Sequence, residues 1–267
     1  MFASRMITGL LAAALLIAVL LIGGMLFTVA IFGALIIALY ELFKTTGINR
    51  KGFLYILGFL PAFLIFVEDV LVIGLFLFIY IVLLYSFLLI NHKRIGFDDI
   101  CITFTGSVML TFLMKHLCLT YSIPAVGRYV IWIVFIGACM SDTFAYLTGM
   151  KFGKNKLAPE ISPKKTVEGA VGAVFGAAIS LMLYGLVLWL AFNLNVNFFG
   201  MFLLGILCSV FGQIGDLSFS IIKRKYDIKD FGTIFPGHGG ILDRFDSILF
   251  VAPIVYYFAV MLQIVAV

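Results

Sequence analysis

Residues 6 to 43 form one nearly uninterrupted apolar run, and no other feature limits the fold as strongly. As a single helix this run would extend about 57 Å at ~1.5 Å per residue, far beyond a hydrocarbon core of about 30 Å. The Gly23-Gly24 pair therefore predicts a turn between two spans. Further apolar runs follow at about 52–67, 70–90, 100–119, 129–149, 168–192, 198–220 and 247–265, separated by polar or charged breaks. The chain is expected to be an all-α, polytopic integral membrane protein with about nine transmembrane helices. The third segment is the shortest, and a partly re-entrant path would also fit it. With 64% hydrophobic and only 12% charged residues, a soluble domain is excluded. Apart from Arg5 there is little basic n-region and no small-residue cleavage site leading into a polar mature chain, so the first run reads as spans rather than a signal peptide.

The nine-span reading places sixteen of the eighteen lysines and arginines on one side of the bilayer, leaving only Lys115 and Arg128 opposite. By the positive-inside rule the N-terminus is cytoplasmic and the C-terminus outside. The expected location is the cell's inner (cytoplasmic) membrane. Residues 1–128 carry few charges and read as a transmembrane scaffold. Residues 129–267 form the functional part, with cytoplasmic loops at 150–167 and 221–246. Any polar partner is met from the cytosolic side. The net charge of +5 belongs to the membrane side of this arrangement and calls for no nucleic acid. Cys101, Cys118, Cys139 and Cys208 stand alone in apolar segments and read as small buried hydrophobes. Gly172 and Gly176 make a G-x-x-x-G pair that lets helices approach closely, by internal packing rather than a dimer seam.

The stretch Ser220–Asp246 concentrates nine charged residues and His238 in 27 positions. Pro236, Gly237, Gly239 and Gly240 around His238 predict a sharply bent backbone. Asp243 and Asp246 are three apart at the start of the last apolar run. On a helix they share a face, where a hard cation could take an oxygen from each. Asp142 and Asp216 fall inside predicted spans, toward the cytoplasmic end. A carboxylate in that position costs roughly 2.5–3.5 kcal/mol on insertion scales and so faces a polar cavity or a partner. Gln213 and Ser220 extend the polar face of Asp216 at i−3 and i+4. Lys164, Lys165 and Thr166 stand just before the seventh helix and form a candidate anion site. Lys151, Lys154 and Lys156 are explained equally well as interfacial anchors. There is no P-loop and no dinucleotide fingerprint. His92 and His116 lack metal-ligand spacing.

The run S-x-x-K-R-x-x-x-x-K-D-x-G-x-x-F-P-x-H-G-G-I-x-D-R-F-D, Ser220 to Asp246, closely resembles the signature of the phosphatidate cytidylyltransferase (CDP-diacylglycerol synthase) family. Earlier blocks are similar too: Ser141-Asp142 with Ala145 and Tyr146, Gly153-Lys154-Asn155-Lys156, Ser162-Pro163-Lys164-Lys165-Thr166 with Glu168-Gly169, and Gly215-Asp216. The resemblance covers residues 141–246. It departs at Val167, where the family often has tryptophan.

The resemblance implies a magnesium-dependent nucleotidyltransferase that condenses CTP with phosphatidic acid to CDP-diacylglycerol and pyrophosphate, and it implies a homodimer. Asp216, Asp243 and Asp246 are then the expected metal ligands, with Asp142 as a fourth. Lys223, Arg224, Lys229, His238 and Arg244 are the expected phosphate holders. Lys164, Lys165, Thr166, Ser141, Asp142, Asn155 and Ser220 are the expected substrate contacts. Two other readings stay open. One is a polyprenol- or phytol-type lipid kinase using CTP, distinguished by releasing CDP rather than pyrophosphate. The other is a transporter with buried aspartates as ion sites, against which the two charge-dense loops and the lack of matching halves argue.

Overall fold

Gly23, at φ 67° and ψ −152°, divides the N-terminal apolar run where the sequence predicts a turn. Side chains disfavour that backbone region, and glycine enters it freely. Helix α1 (Phe2–Ile22) ends before it and α2 (Gly24–Thr46) starts after it. The computed structural model describes residues 2–234 and 239–266, and most of these are helical. The later runs become α4 (Val70–Asn91), α5 (Phe97–Tyr121), α6 (Gly127–Phe152), α7 (Val167–Phe192), α8 (Phe198–Lys225) and α9 (Leu242–Leu262). Among the described residues, seven helices, α2 and α4–α9, are long and apolar enough to cross a bilayer. The chain is an integral membrane protein.

The third expected span differs. Residues 52–67 form a short helix α3 (Phe53–Leu57) and a 3-10 segment Leu60–Phe66 instead of one continuous helix. Gly52 at φ 57° and Pro61 at the start of the 3-10 turn interrupt the helical ladder. All-α also needs amending at two places. The loop expected at 150–167 contains a hairpin, β1 (Lys156–Ala158) against β2 (Ser162–Thr166), with its turn at residues 159–161. A second short pair joins β3 (Asn195–Val196) to β4 (Val265–Ala266).

The chain forms two compact units. The first comprises residues 1–118 with 228–243. Its core includes Phe43, whose ring meets Tyr55 and Phe59 edge-on. Tyr80 of α4 stacks on Phe104 of α5, and its hydroxyl donates to Ser107 Oγ at 3.3 Å. Two contacts fix residues 52–67 along α5. Lys51 Nζ pairs with Asp99 at 2.9 Å near one end, and Lys115 Nζ donates to the carbonyls of Leu64 (3.0 Å) and Val67 near the other. Lys115, one of the two cations out of place in the charge pattern, thus donates to carbonyls at the C-terminal end of the 3-10 segment.

The second unit comprises residues 119–227 with 244–267. Here α6, α7 and α8 pack through small residues. A Cβ on Gly172 would collide with Thr148, and one on Gly176 with the Phe144 ring, both on α6. Gly205 of α8 lies against the Ala178 backbone of α7, and Gly137 of α6 against buried Cys208. The G-x-x-x-G face is therefore used inside the chain, as the packing reading expected. Gly176→Ala should cost about 1–3 kcal/mol through overpacking, read as a lower unfolding temperature in detergent. A dimer seam would instead predict lost self-association at unchanged stability.

Candidate functional site

Close approach of helices delivers carboxylates to one region of the second unit. Gly215 on α8 faces the Asp246 carbonyl and the Phe250 ring of α9, with no room for a side chain between them. Asp216 Oδ1 accepts from Ser220 Oγ at 3.3 Å, one turn along the same helix, and its Oδ2 pairs closely with Lys165 Nζ. Asp246 Oδ1 accepts the Ser247 amide at 2.8 Å, and its Oδ2 lies 4.0 Å from Lys223 Nζ. Ser247 Oγ in turn donates to Asp142 Oδ2 at 3.4 Å. Asp142, Asp216 and Asp246 lie within electrostatic reach of one another, with Lys165 and Arg244 acting on Asp142 and Lys223 on Asp246.

Beside this cluster lies a cavity of about 430 Å³, within the size range of small-molecule sites. Asp142, Tyr146, Lys164, Lys165, Gln213 and Asp216 supply its polar groups, and Ala145, Gly149, Met150, Leu157, Gly169 and Ala170 its apolar walls. The Gln213 side chain is oriented by its neighbours. Nε2 donates to Ala170 O (3.3 Å) and Ser209 Oγ (3.0 Å). Because a carbonyl only accepts, the nitrogen must face Ala170.

Several of the expected substrate and phosphate contacts make bonds within the scaffold. Thr166 caps α7, its Oγ1 accepting from Gly169 N at 3.1 Å, although the residue also borders the cavity. Ser141 Oγ is buried against Ser209 Oγ at 2.8 Å. Asn155 Nδ2 donates to Glu168 Oε1 at 2.8 Å, and the amides of Lys154 and Asn155 donate to the same carboxylate. Arg224 Nε donates to Ile161 O at 3.2 Å, bracing the hairpin turn.

Asp243 and Lys229 belong to the first unit. Asp243 is buried, and its Oδ2 accepts the amides of Phe231 (2.8 Å) and Gly240 (3.0 Å). Lys229 is exposed. His238, Pro236 and Gly237 lie outside the described residues. Among the described residues, no three His, Cys, Asp or Glu side chains form a group that could hold a metal ion. Sequence reasoning missed Glu168 as a loop clamp and Glu41 altogether.

Fold and cavity together define an integral membrane protein that sets lysines against carboxylates around a pocket large enough for an anionic substrate. The model of the cytidylyltransferase family matches residues 3–262; the chain belongs to this family. It is 34% identical over 270 residues to the phosphatidate cytidylyltransferase of Bacillus subtilis (strain 168), covering 95% of this chain and 96% of that one. It is 36% identical over 263 residues to the enzyme of the same name from Staphylococcus epidermidis (strain ATCC 12228), covering 94% and 96%. The Staphylococcus aureus (strain COL) protein of that name is 41% identical over 175 residues, covering 63% and 62%.

Proposed function

We infer that the chain condenses CTP with phosphatidic acid, giving CDP-diacylglycerol and pyrophosphate. The observation that carries this is the cavity lined together by Lys164, Lys165, Asp142 and Asp216, in a chain of this family. An oxygen of the lipid phosphate attacks the α-phosphorus of CTP. A new P–O bond forms, the α–β bridging bond breaks, and pyrophosphate leaves with the electron pair. The nucleophile is already an anion, so no general base is needed. The barrier is electrostatic: unit charges about 5 Å apart repel by about 3 kcal/mol at an effective dielectric near 20. Lys164, Lys165, Lys223 and Arg244 offset that repulsion and hold the phosphates.

The oxygen-only set of Asp216 and Asp246 suits magnesium, which typically uses one or two carboxylates, several waters and substrate phosphates rather than a full protein cage. We assign these two residues to the ion, with Asp142 beside them. Asp243, whose Oδ2 is committed to two amides, is assigned to shaping the loop. When bound, magnesium would neutralise charge on the transferring and leaving phosphates. Chelation by EDTA should bring turnover to background, and added magnesium should restore it.

Nine crossings with the site facing the cytoplasm complete this reading. Asp99 and Lys115 are sixteen residues apart on α5, about 24 Å, and they hold the two ends of residues 52–67. That supports counting the broken segment as a crossing, and the charge bias then puts both basic loops inside. Homodimerisation rests on the family resemblance, and cross-linking in native membranes would test it.

The decisive assay supplies purified protein with labelled CTP, magnesium and phosphatidic acid. Labelled CDP-lipid with equimolar pyrophosphate is expected. CDP and a phosphorylated lipid alcohol would make the protein a kinase.

A further inference from the structure

Glu41 of α2 is a carboxylate buried to 1% exposure in a segment apolar enough to span a membrane. Its two oxygens accept backbone N–H groups two hundred residues away in sequence: Oε1 from Ile241 at 3.1 Å and Oε2 from Leu242 at 2.9 Å. Leu242 is the first residue of α9. Amides at a helix start have no partner within the helix, and a carboxylate acceptor makes the stronger, charge-assisted kind of bond. The loop is cut to fit this group. A Cβ on Gly232 or on Gly240 would run into the Glu41 carboxylate. Asp243 completes the arrangement by holding Phe231 and Gly240. Two buried acids thus take up four amides of the segment 231–242.

We propose that Glu41 is a positioning residue for the transfer reaction: by capping α9 from α2 it sets the register of the first turns of that helix, which carry Asp243, Arg244 and Asp246. The proposal rests on the function inferred above. A neutral polar cap would satisfy these amides individually, but only a group with two acceptor oxygens holds both without offering a donor. Glu41→Gln keeps size and shape while turning an NH2 toward one of the two amides. Glu41→Ala removes both bonds. Neither residue change touches a group assigned to substrate or metal.

The test compares wild type, E41Q and E41A in detergent, measuring CDP-lipid formation and hydrogen exchange at the amides of Ile241 and Leu242. For E41Q, kcat should fall about 10- to 100-fold, as for loss of a charge-assisted hydrogen bond, while KM for CTP stays within about threefold. Exchange at 241–242 should quicken by a similar factor, with α6–α8 protection unchanged. Should E41A not be recovered folded, E41Q decides alone. Unchanged exchange at these amides, a kcat within about threefold of wild type, or an effect confined to KM each overturns the proposal. If wild type makes no CDP-lipid, the functional reading fails, and the exchange data still decide whether Glu41 caps α9.

Discussion

Asp216→Asn and Asp246→Asn should each lower CDP-lipid formation about a thousandfold or more, with the protein still folded and extractable. Asparagine matches aspartate in shape, so Gly215 can still bring α8 to α9; what is lost is the negative charge. For Asp216 that removes the partner of Lys165, and for Asp246 an anion 4.0 Å from buried Lys223. A thousandfold corresponds to about 4 kcal/mol of transition-state stabilisation, the scale expected when one oxygen ligand of a charge-neutralising cation is removed. Stability should change little at Asp216, because its pair with Lys165 is partly exposed and such pairs contribute only about 0–1 kcal/mol. Initial rates with labelled CTP, normalised to monodisperse protein, give the answer. More than a tenth of wild-type activity in both variants would remove the carboxylates from the mechanism.

Helix placement was legible because bilayer thickness acts on every span alike. Runs at 129–149 and 198–220 become α6 and α8 with only a few residues added, and Gly23 marks its turn by backbone freedom alone. Residues 52–67 were harder. Hydropathy reports burial in lipid, whereas Gly52 and Pro61 decide whether that burial is helical. The hairpin at 156–166 was hidden for another reason: lysines and prolines in a short two-stranded ribbon resemble a solvated loop, since neither β1 nor β2 has a buried face to impose alternation.

Within the site, charge could be read but orientation could not. Asp142, Asp216 and Lys165 stood out because ions near lipid need partners. Thr166, Asn155 and Ser141 look the same in sequence whether they touch substrate or satisfy a cap, a clamp and a buried hydroxyl. Glu41 carried the signal that singled out Asp142 and Asp216, an acid within an apolar run. Its partners are backbone amides, which no side-chain pattern announces.

Lys165→Met should cut kcat/KM by about a hundredfold, corresponding to about 2.7 kcal/mol, whereas Lys151→Met should leave it within about threefold. Lys151 ends α6 just before the hairpin and Lys165 lies in its second strand, and the positive-inside rule treats them alike. The structure separates them. Lys151 rests over its neighbour's ring, 5.3 Å from the Phe152 centroid, and does not border the cavity. Lys165 borders it and pairs with Asp216. Methionine keeps an unbranched chain but no charge, so an incoming phosphate loses a counter-ion and Asp216 loses its partner. Lys165→Arg should recover part of the rate by restoring charge, though not all, because the planar guanidinium does not occupy the ammonium's place. The comparison decides between two roles for this cation. If the lysines only anchor the loop at the lipid interface, Lys165→Met and Lys151→Met will behave alike, and the basic wall of the cavity will have no part in holding phosphate.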